Sequence, residues 1–120
     1  MRLSYASAPP IDLRRPAIAL YLHVPFCRAR CAYCDFDTFA GLEAFIPAYA
    51  DALAREIRAA GERWRPATVP TIYFGGGTPS LLPLQVVDDL VDALHTAFDL
   101  SQGVEVSFEA NPGTVSPDYL

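Results

Sequence analysis

The sequence predicts an α/β protein built on parallel strands, and three observations carry that prediction. Short apolar runs at residues 18–24, 71–74 and 104–109 have the length and composition of strands. Longer stretches at 43–60 and 83–98 repeat their apolar residues at helical spacing. Each strand-like run also ends in a turn signal, namely Pro25, Gly75-Gly76-Gly77 and Asn111-Pro112-Gly113. Strand, helix, strand, helix, strand in that order requires crossovers, and crossovers make parallel sheets.

Residues 1–16, with Pro9, Pro10 and Pro16, read as an irregular N-terminal arm, and the core runs over 17–120. In the first strand, two-residue alternation puts Ala19, Tyr21 and His23 on one face and Leu20, Leu22 and Val24 on the other. The aliphatic set is the face for helices. The phenol and imidazole then look into a site, and the cysteine loop begins at this strand's carboxyl end, where α/β folds build their sites. In the first helix Phe45, Tyr49, Leu53 and Ile57 form the stripe beside Ala52 and Ala60, with Gly61 as its stop. Leu84, Val87, Val91, Leu94 and Phe98 form the stripe of the second, with Pro83 suited to its first position. His95 reads as an ordinary helical histidine. The third strand sends Val104, Val106 and Phe108 toward the helices and Glu105, Ser107 and Glu109 to the opposite face.

Length, charge and cysteine usage narrow the function. The 120 residues make one domain at most. Three parallel strands with two helices leave a sheet edge uncovered, so the chain reads as the N-terminal piece of a longer one. All nine basic residues are arginines at or before Arg65, facing seven acids, while the remainder holds seven acids and no base. A net charge of −5 excludes a nucleic-acid footprint. No run approaches the about 18 apolar residues of a membrane span, and the N-terminus lacks a secretory apolar core. A cytoplasmic location is therefore expected.

The chemistry concentrates in Cys27-Arg-Ala-Arg-Cys31-Ala-Tyr-Cys34. With only three cysteines, disulfide pairing would leave one over. A CxxxCxxC run can wrap three thiolates around one face of a cubane iron–sulfur cluster, leaving the fourth iron open for a small molecule. A zinc centre completed by His23 competes, although zinc spacings usually comprise two short pairs far apart. Three clustered structural cysteines are the third option. Arg28 and Arg30 either offset the charge of a thiolate-bound cluster or are solvated loop residues. Gly75-Gly76-Gly77 permits a ligand to approach backbone at a strand's carboxyl end. Glu109, at the end of the inner face of its strand, needs a partner if buried and is a candidate for binding a hydroxyl or cationic group.

The CxxxCxxC, Gly75-Gly76-Gly77-Thr78-Pro79 after the second strand, and Glu109-Ala-Asn-Pro-Gly-Thr114 together resemble the radical S-adenosylmethionine (radical SAM) superfamily. The closer wording Leu20-Tyr-Leu-His-Val-Pro-Phe-Cys27 and Gly75 through Leu82 is similar to the branch of oxygen-independent coproporphyrinogen III oxidases and HemW-type heme chaperones. The oxidases carry a further cysteine two places after the third. Phe36 stands there, as in the chaperones.

The resemblance implies the first three β/α units of an open (β/α)6 partial barrel. It implies a [4Fe-4S] cluster on Cys27, Cys31 and Cys34, with SAM chelating the open iron. Gly76, Gly77 and Thr78 would run along its methionine part, Glu109 would contact SAM, and Tyr21 and Tyr33 would lie near it. In the enzymatic members the reduced cluster cleaves SAM to a 5′-deoxyadenosyl radical. No residue here is assigned a catalytic role. The chaperone reading adds heme as cargo, at a site outside these residues, with an electron donor and a heme-acceptor protein as partners. Oxidative decarboxylation of coproporphyrinogen III is the alternative, and a zinc-stapled binding module the alternative from another class.

Overall fold

The structure is a computed structural model that describes residues 14–119, so most of the arm expected at 1–16 lies outside the described residues. In chain order its elements are β1 (Ala17–Val24), β2 (Phe26–Cys27), β3 (Phe39–Ala40), α1 (Ile46–Arg63), β4 (Thr68–Gly76), α2 (Leu84–Ala97) and β5 (Asp99–Phe108). The main sheet has the order β1-β4-β5 with both pairings parallel, as the alternation of strands and helices requires. β2 and β3 form a separate two-residue parallel pair that brackets the cysteine loop.

The aliphatic face of the sheet meets the helices. Leu22 and Val24 of β1, Ile72 and Phe74 of β4, Ile57 of α1 and Leu90 and Leu94 of α2 are buried in one core. Burying a side chain such as Phe74 contributes about 1.5–3 kcal/mol, which is why the alternation holds this register. The opposite face carries Tyr21, Tyr73 and Glu105, all exposed. Register places Tyr21 beside Tyr73, His23 beside Gly75, and Tyr73 beside Ser107. Tyr21 and His23 lie on the face away from the helices, as the alternation predicts, but that face is open at Tyr21.

Several boundaries differ from expectation, each for a physical reason. β4 starts at Thr68 rather than 71, because Pro70, which has no N–H, sits at an irregularity between Val69 and Thr71 instead of ending the strand. Gly61 was expected to stop the first helix, yet α1 continues to Arg63. A Cβ at Gly61 would lie 2.4 Å from the Ala97 carbonyl oxygen, so this glycine lets α1 and α2 touch. Phe45 was expected in the stripe but is 61% exposed. It belongs to a 3₁₀ turn, Glu43–Phe45, whose tighter winding rotates it off the stripe, and Ile46 is buried instead. Leu84, at the first turn of α2, is likewise exposed, and Leu90 is buried in its stripe. β5 begins at Asp99, and Val106 is 53% exposed despite sharing a face with Val104 and Phe108, because β5 has no strand on its far side among the described residues.

Candidate functional site

The site begins where β1 ends. Pro25 closes β1, Phe26 and Cys27 form β2, and the chain returns through β3, whose Phe39 N–H donates to the Pro25 carbonyl at 2.8 Å. The cysteine loop is thus tied at both ends while its middle has no regular structure. Inside it, Cys34 N–H donates to the Cys31 carbonyl at 3.0 Å. Arg30 donates to the carbonyls of Cys34 and Phe36, each at 3.3 Å. Of the two arginines weighed as charge-compensating or solvated, Arg30 is therefore a loop staple and Arg28 is exposed.

The three thiols are free, with Cys27 buried, Cys34 half-buried and Cys31 exposed. The Cys34 thiol is shifted below its ordinary value, first by the backbone at Phe36 and then by the Thr38 hydroxyl, whose oxygen lies 3.7 Å from its sulfur. Arg30 adds to that shift. Hydrogen bonds to the thiolate favour the form that ligates iron. Next to it, the Tyr33 phenol is pushed up, chiefly by its hydrogen bond to Cys31.

The opposite wall is the carboxyl edge of β4. Gly77 N–H donates to the Val24 carbonyl at 2.8 Å and Thr78 N–H to the Phe26 carbonyl at 2.7 Å, which sews the glycine run to β1 and β2. Gly76 has φ +112°, which disfavours a side chain, and an added Cβ would lie 2.6 Å from the His23 ring. At Gly77 a Cβ would meet the Phe26 carbonyl at 2.6 Å and the Cys27 sulfur at 3.1 Å. The backbone itself therefore reaches the thiol. Thr78 is buried; its hydroxyl accepts from Asn111 Nδ2 at 3.1 Å and donates toward Cys27 Sγ at 3.9 Å.

Glu109 finds the partners that an inner-face carboxylate requires. Its Oε1 accepts from the Tyr73 phenol at 2.6 Å and its Oε2 from Gly76 N–H at 3.0 Å. A cavity of about 390 Å³ separates the walls, and Cys27, Cys31, Cys34, Tyr33, Gly76, Gly77, Thr78 and Glu109 all line it. Of the expected site residues only Tyr21 stands back. Its ring stacks on Tyr73 at 6.0 Å, and its phenol meets His23 Nδ1 at 3.0 Å. His23 Nε2 lies 2.8 Å from the Asp37 carbonyl, an acceptor only, so Nε2 carries the proton and Nδ1 accepts from Tyr21.

Both imidazole nitrogens are committed in this way, and His23 does not line the cavity of the thiols. Among the described residues no three His, Cys, Asp or Glu side chains converge to hold a metal ion. His23 therefore does not complete the Cys3His set weighed from sequence. The thiols share a cavity and not a point, with a donor set and a side-chain-free wall that fit a bulky thiolate-ligated cluster beside a small guest. Sequence reasoning missed Tyr73, Thr38 and Asn111. Tyr73 had a signal, since it alternates with Gly75, and Asn111 stood in the quoted Glu109–Thr114 run; Thr38 had none.

These features define a radical SAM domain, and residues 21–120 match the radical SAM superfamily, to which the chain belongs. Over 104 residues it is 44% identical to the heme chaperone HemW of Mycobacterium tuberculosis, covering 84% of this chain and 27% of that protein. With the heme chaperone HemW of Escherichia coli it shares 36% over 108 residues, 88% of this chain and 28% of that one. Among solved structures, the coproporphyrinogen III oxidase HemN of Escherichia coli, described as a radical SAM enzyme, superposes with a TM-score of 0.80 at 28% identity. That match covers 87% of this chain and 24% of HemN, so the sheet corresponds to part of a radical SAM fold. The chain spans about a quarter of the length of the curated relatives it matches. No helix among the described residues is long and apolar enough to cross a membrane.

Proposed function

We propose that this chain supplies the cluster- and SAM-binding part of a HemW-like heme chaperone, which binds heme and passes it to an acceptor protein in the cytoplasm. The observation that carries the proposal is the shared cavity, where three free thiols face a glycine edge and a fixed carboxylate. Cys27, Cys31 and Cys34 would hold a [4Fe-4S] cluster, which supplies redox electrons and an open iron for SAM. Gly76, Gly77 and Thr78 would offer bare backbone to the methionine part of SAM. Glu109 would accept hydrogen bonds from its hydroxyl or amine groups, with Tyr33 beside it and Tyr21 behind.

This chain's own residues do the positioning. The glycine edge cannot drift, because Val24 and Phe26 hold it from below and Glu109 from the side. Arg30 shapes the loop around Cys34, and Thr38 and Thr78 present hydroxyls to two of the three sulfurs. Phe36 occupies the place of the oxidases' extra cysteine, and the similarity to HemW proteins at 36–44% identity supports the chaperone over the decarboxylase. The superposition on HemN keeps coproporphyrinogen III oxidation as the second reading.

Anaerobic reconstitution of the full protein with iron and sulfide tests both. The expected sample is brown, bleaches with dithionite, binds heme, and leaves coproporphyrinogen III unchanged in the presence of SAM and a reductant. Protoporphyrinogen formation would replace the chaperone by the oxidase. A colourless protein with one zinc per chain would end both.

A further inference from the structure

Glu109 lies just beyond β5, where its N–H donates to the Phe74 carbonyl at 3.0 Å. Its side chain crosses the neighbouring strand, and the two contacts to Tyr73 and Gly76 engage both of its oxygens. A carboxylate has about four lone-pair sites, so two remain for a guest. What lets the Tyr73 phenol arrive is Gly75. A Cβ there would lie 2.5 Å from Tyr73 Cε1 and 3.2 Å from the Glu109 carboxyl carbon. The Tyr73 ring therefore lies across the space a side chain at Gly75 would fill. Tyr21 backs that ring, with 24° between the planes. The first glycine of the run thus serves a neighbouring side chain, whereas Gly76 and Gly77 clear His23 and the Phe26 carbonyl.

We propose that Tyr73, seated over Gly75, is a positioning residue that aims the Glu109 carboxylate at the bound ligand. The inference rests on the SAM-site reading and names the device that orients it. A phenol donating to a carboxylate fixes its plane, leaving the unused lone pairs for a cationic amine or a hydroxyl. The same contact acts on the donor: the Tyr73 phenol is held above its ordinary range, first by the hydrogen bond to Glu109. The titratable groups around Glu109 are the three thiols, Tyr33 and Asp35 across the cavity, with Tyr73 and Tyr21 behind it.

Tyr73→Phe keeps the ring and its stacking and removes only the donor. In the full chain reconstituted with cluster, iron content and visible absorbance should stay at wild type, while SAM affinity falls roughly tenfold, as loss of a hydrogen bond to a charged group does. Without the phenol the carboxylate keeps only its contact to Gly76 N–H, so the loss should fall on SAM affinity and not on cluster content. Gly75→Ala should weaken SAM binding similarly, and the double variant should add little, since both disturb one contact. Wild-type SAM affinity in Tyr73→Phe would overturn the proposal. Amide hydrogen exchange at Gly76 without SAM separates this from failure of the functional reading, because that N–H donates to Glu109. If wild-type protein binds no SAM, faster Gly76 exchange in Tyr73→Phe still supports the positioning role, and unchanged exchange removes it.

Discussion

The two walls of the cavity are built differently. One is the cysteine loop, whose middle has no regular structure and whose aromatic side chains are largely exposed, with Tyr33 90% and Phe36 66% exposed. The other is the carboxyl edge of a parallel sheet, where Thr78, Pro79 and Ser80 are all buried and the backbone is bonded to two neighbouring strands. The contrast teaches a division of labour. The sheet edge is organised before any ligand arrives, because burial and the strand ladder fix it. The loop depends on a few exposed hydrogen bonds, and its three thiols are gathered loosely enough to close on a cluster. For the proposed site, preorganisation where the guest would be read, and adaptability where the cluster would be gripped, suit a centre loaded after folding.

The largest expected effect breaks that contrast at its stiff side. Gly77→Ala would drive a Cβ into two carbonyl oxygens, Phe26 at 2.6 Å and Val24 at 2.9 Å, and neither can rotate away. We expect a loss of about 2–3 kcal/mol, the range of overpacked sites. Phe36→Ser on the loop should stay within about 0.5 kcal/mol of wild type, because the ring is mostly exposed. Denaturant unfolding of both variants decides the matter, and equal destabilisation would show the two walls to be equally rigid.

Much of this was legible in the sequence, for reasons that particular residues make plain. The placing of Tyr21 and His23 on the face away from the helices was readable because alternation is a property of the strand backbone itself. The thiols and the glycine edge were readable because ligand spacing and bare backbone are local signals. Phe45 and Leu84 were misjudged because helix ends break the 3.6-residue phase, and Val106 because burial depends on what lies next to a strand. The Tyr73–Glu109 contact joins residues 36 apart, and no local pattern encodes it. Glu109 could be identified as needing a partner, but only the register of β4 against β5 shows which partner it has.

A smaller effect is expected on the adaptable wall. Arg30→Ala removes both staples of the loop without touching the core, so unfolding should be unchanged within about 0.5 kcal/mol. Cluster assembly should suffer instead. Groups that orient ligands typically contribute 10–100-fold in metal affinity, and an exposed arginine belongs at the low end, roughly tenfold. Iron retained per chain after challenge with a chelator measures this. Retention equal to wild type would mean that the loop holds its shape without Arg30.

The smallest effect lies where the walls meet. Thr78 belongs to the stiff edge, yet its hydroxyl faces the Cys27 sulfur of the other wall at 3.9 Å. Asn111 Nδ2 can only donate, so it uses an acceptor lone pair on the Thr78 oxygen and leaves the hydroxyl proton for the sulfur. A hydrogen bond to a ligating sulfur stabilises the more negative, reduced cluster and raises its potential. Thr78→Val keeps the shape and removes the proton, so the potential should fall. A net hydrogen bond is worth about 1 kcal/mol, which corresponds to roughly 40 mV for one electron, and the long O···S distance makes about 20 mV the better expectation. The Asn111 amide loses its acceptor in that variant, but Asn111 is exposed and water can replace it, so iron content should hold. Redox titration of the reconstituted cluster followed by its visible absorbance reads the shift. An unchanged potential would mean that the stiff wall shapes the site without tuning it.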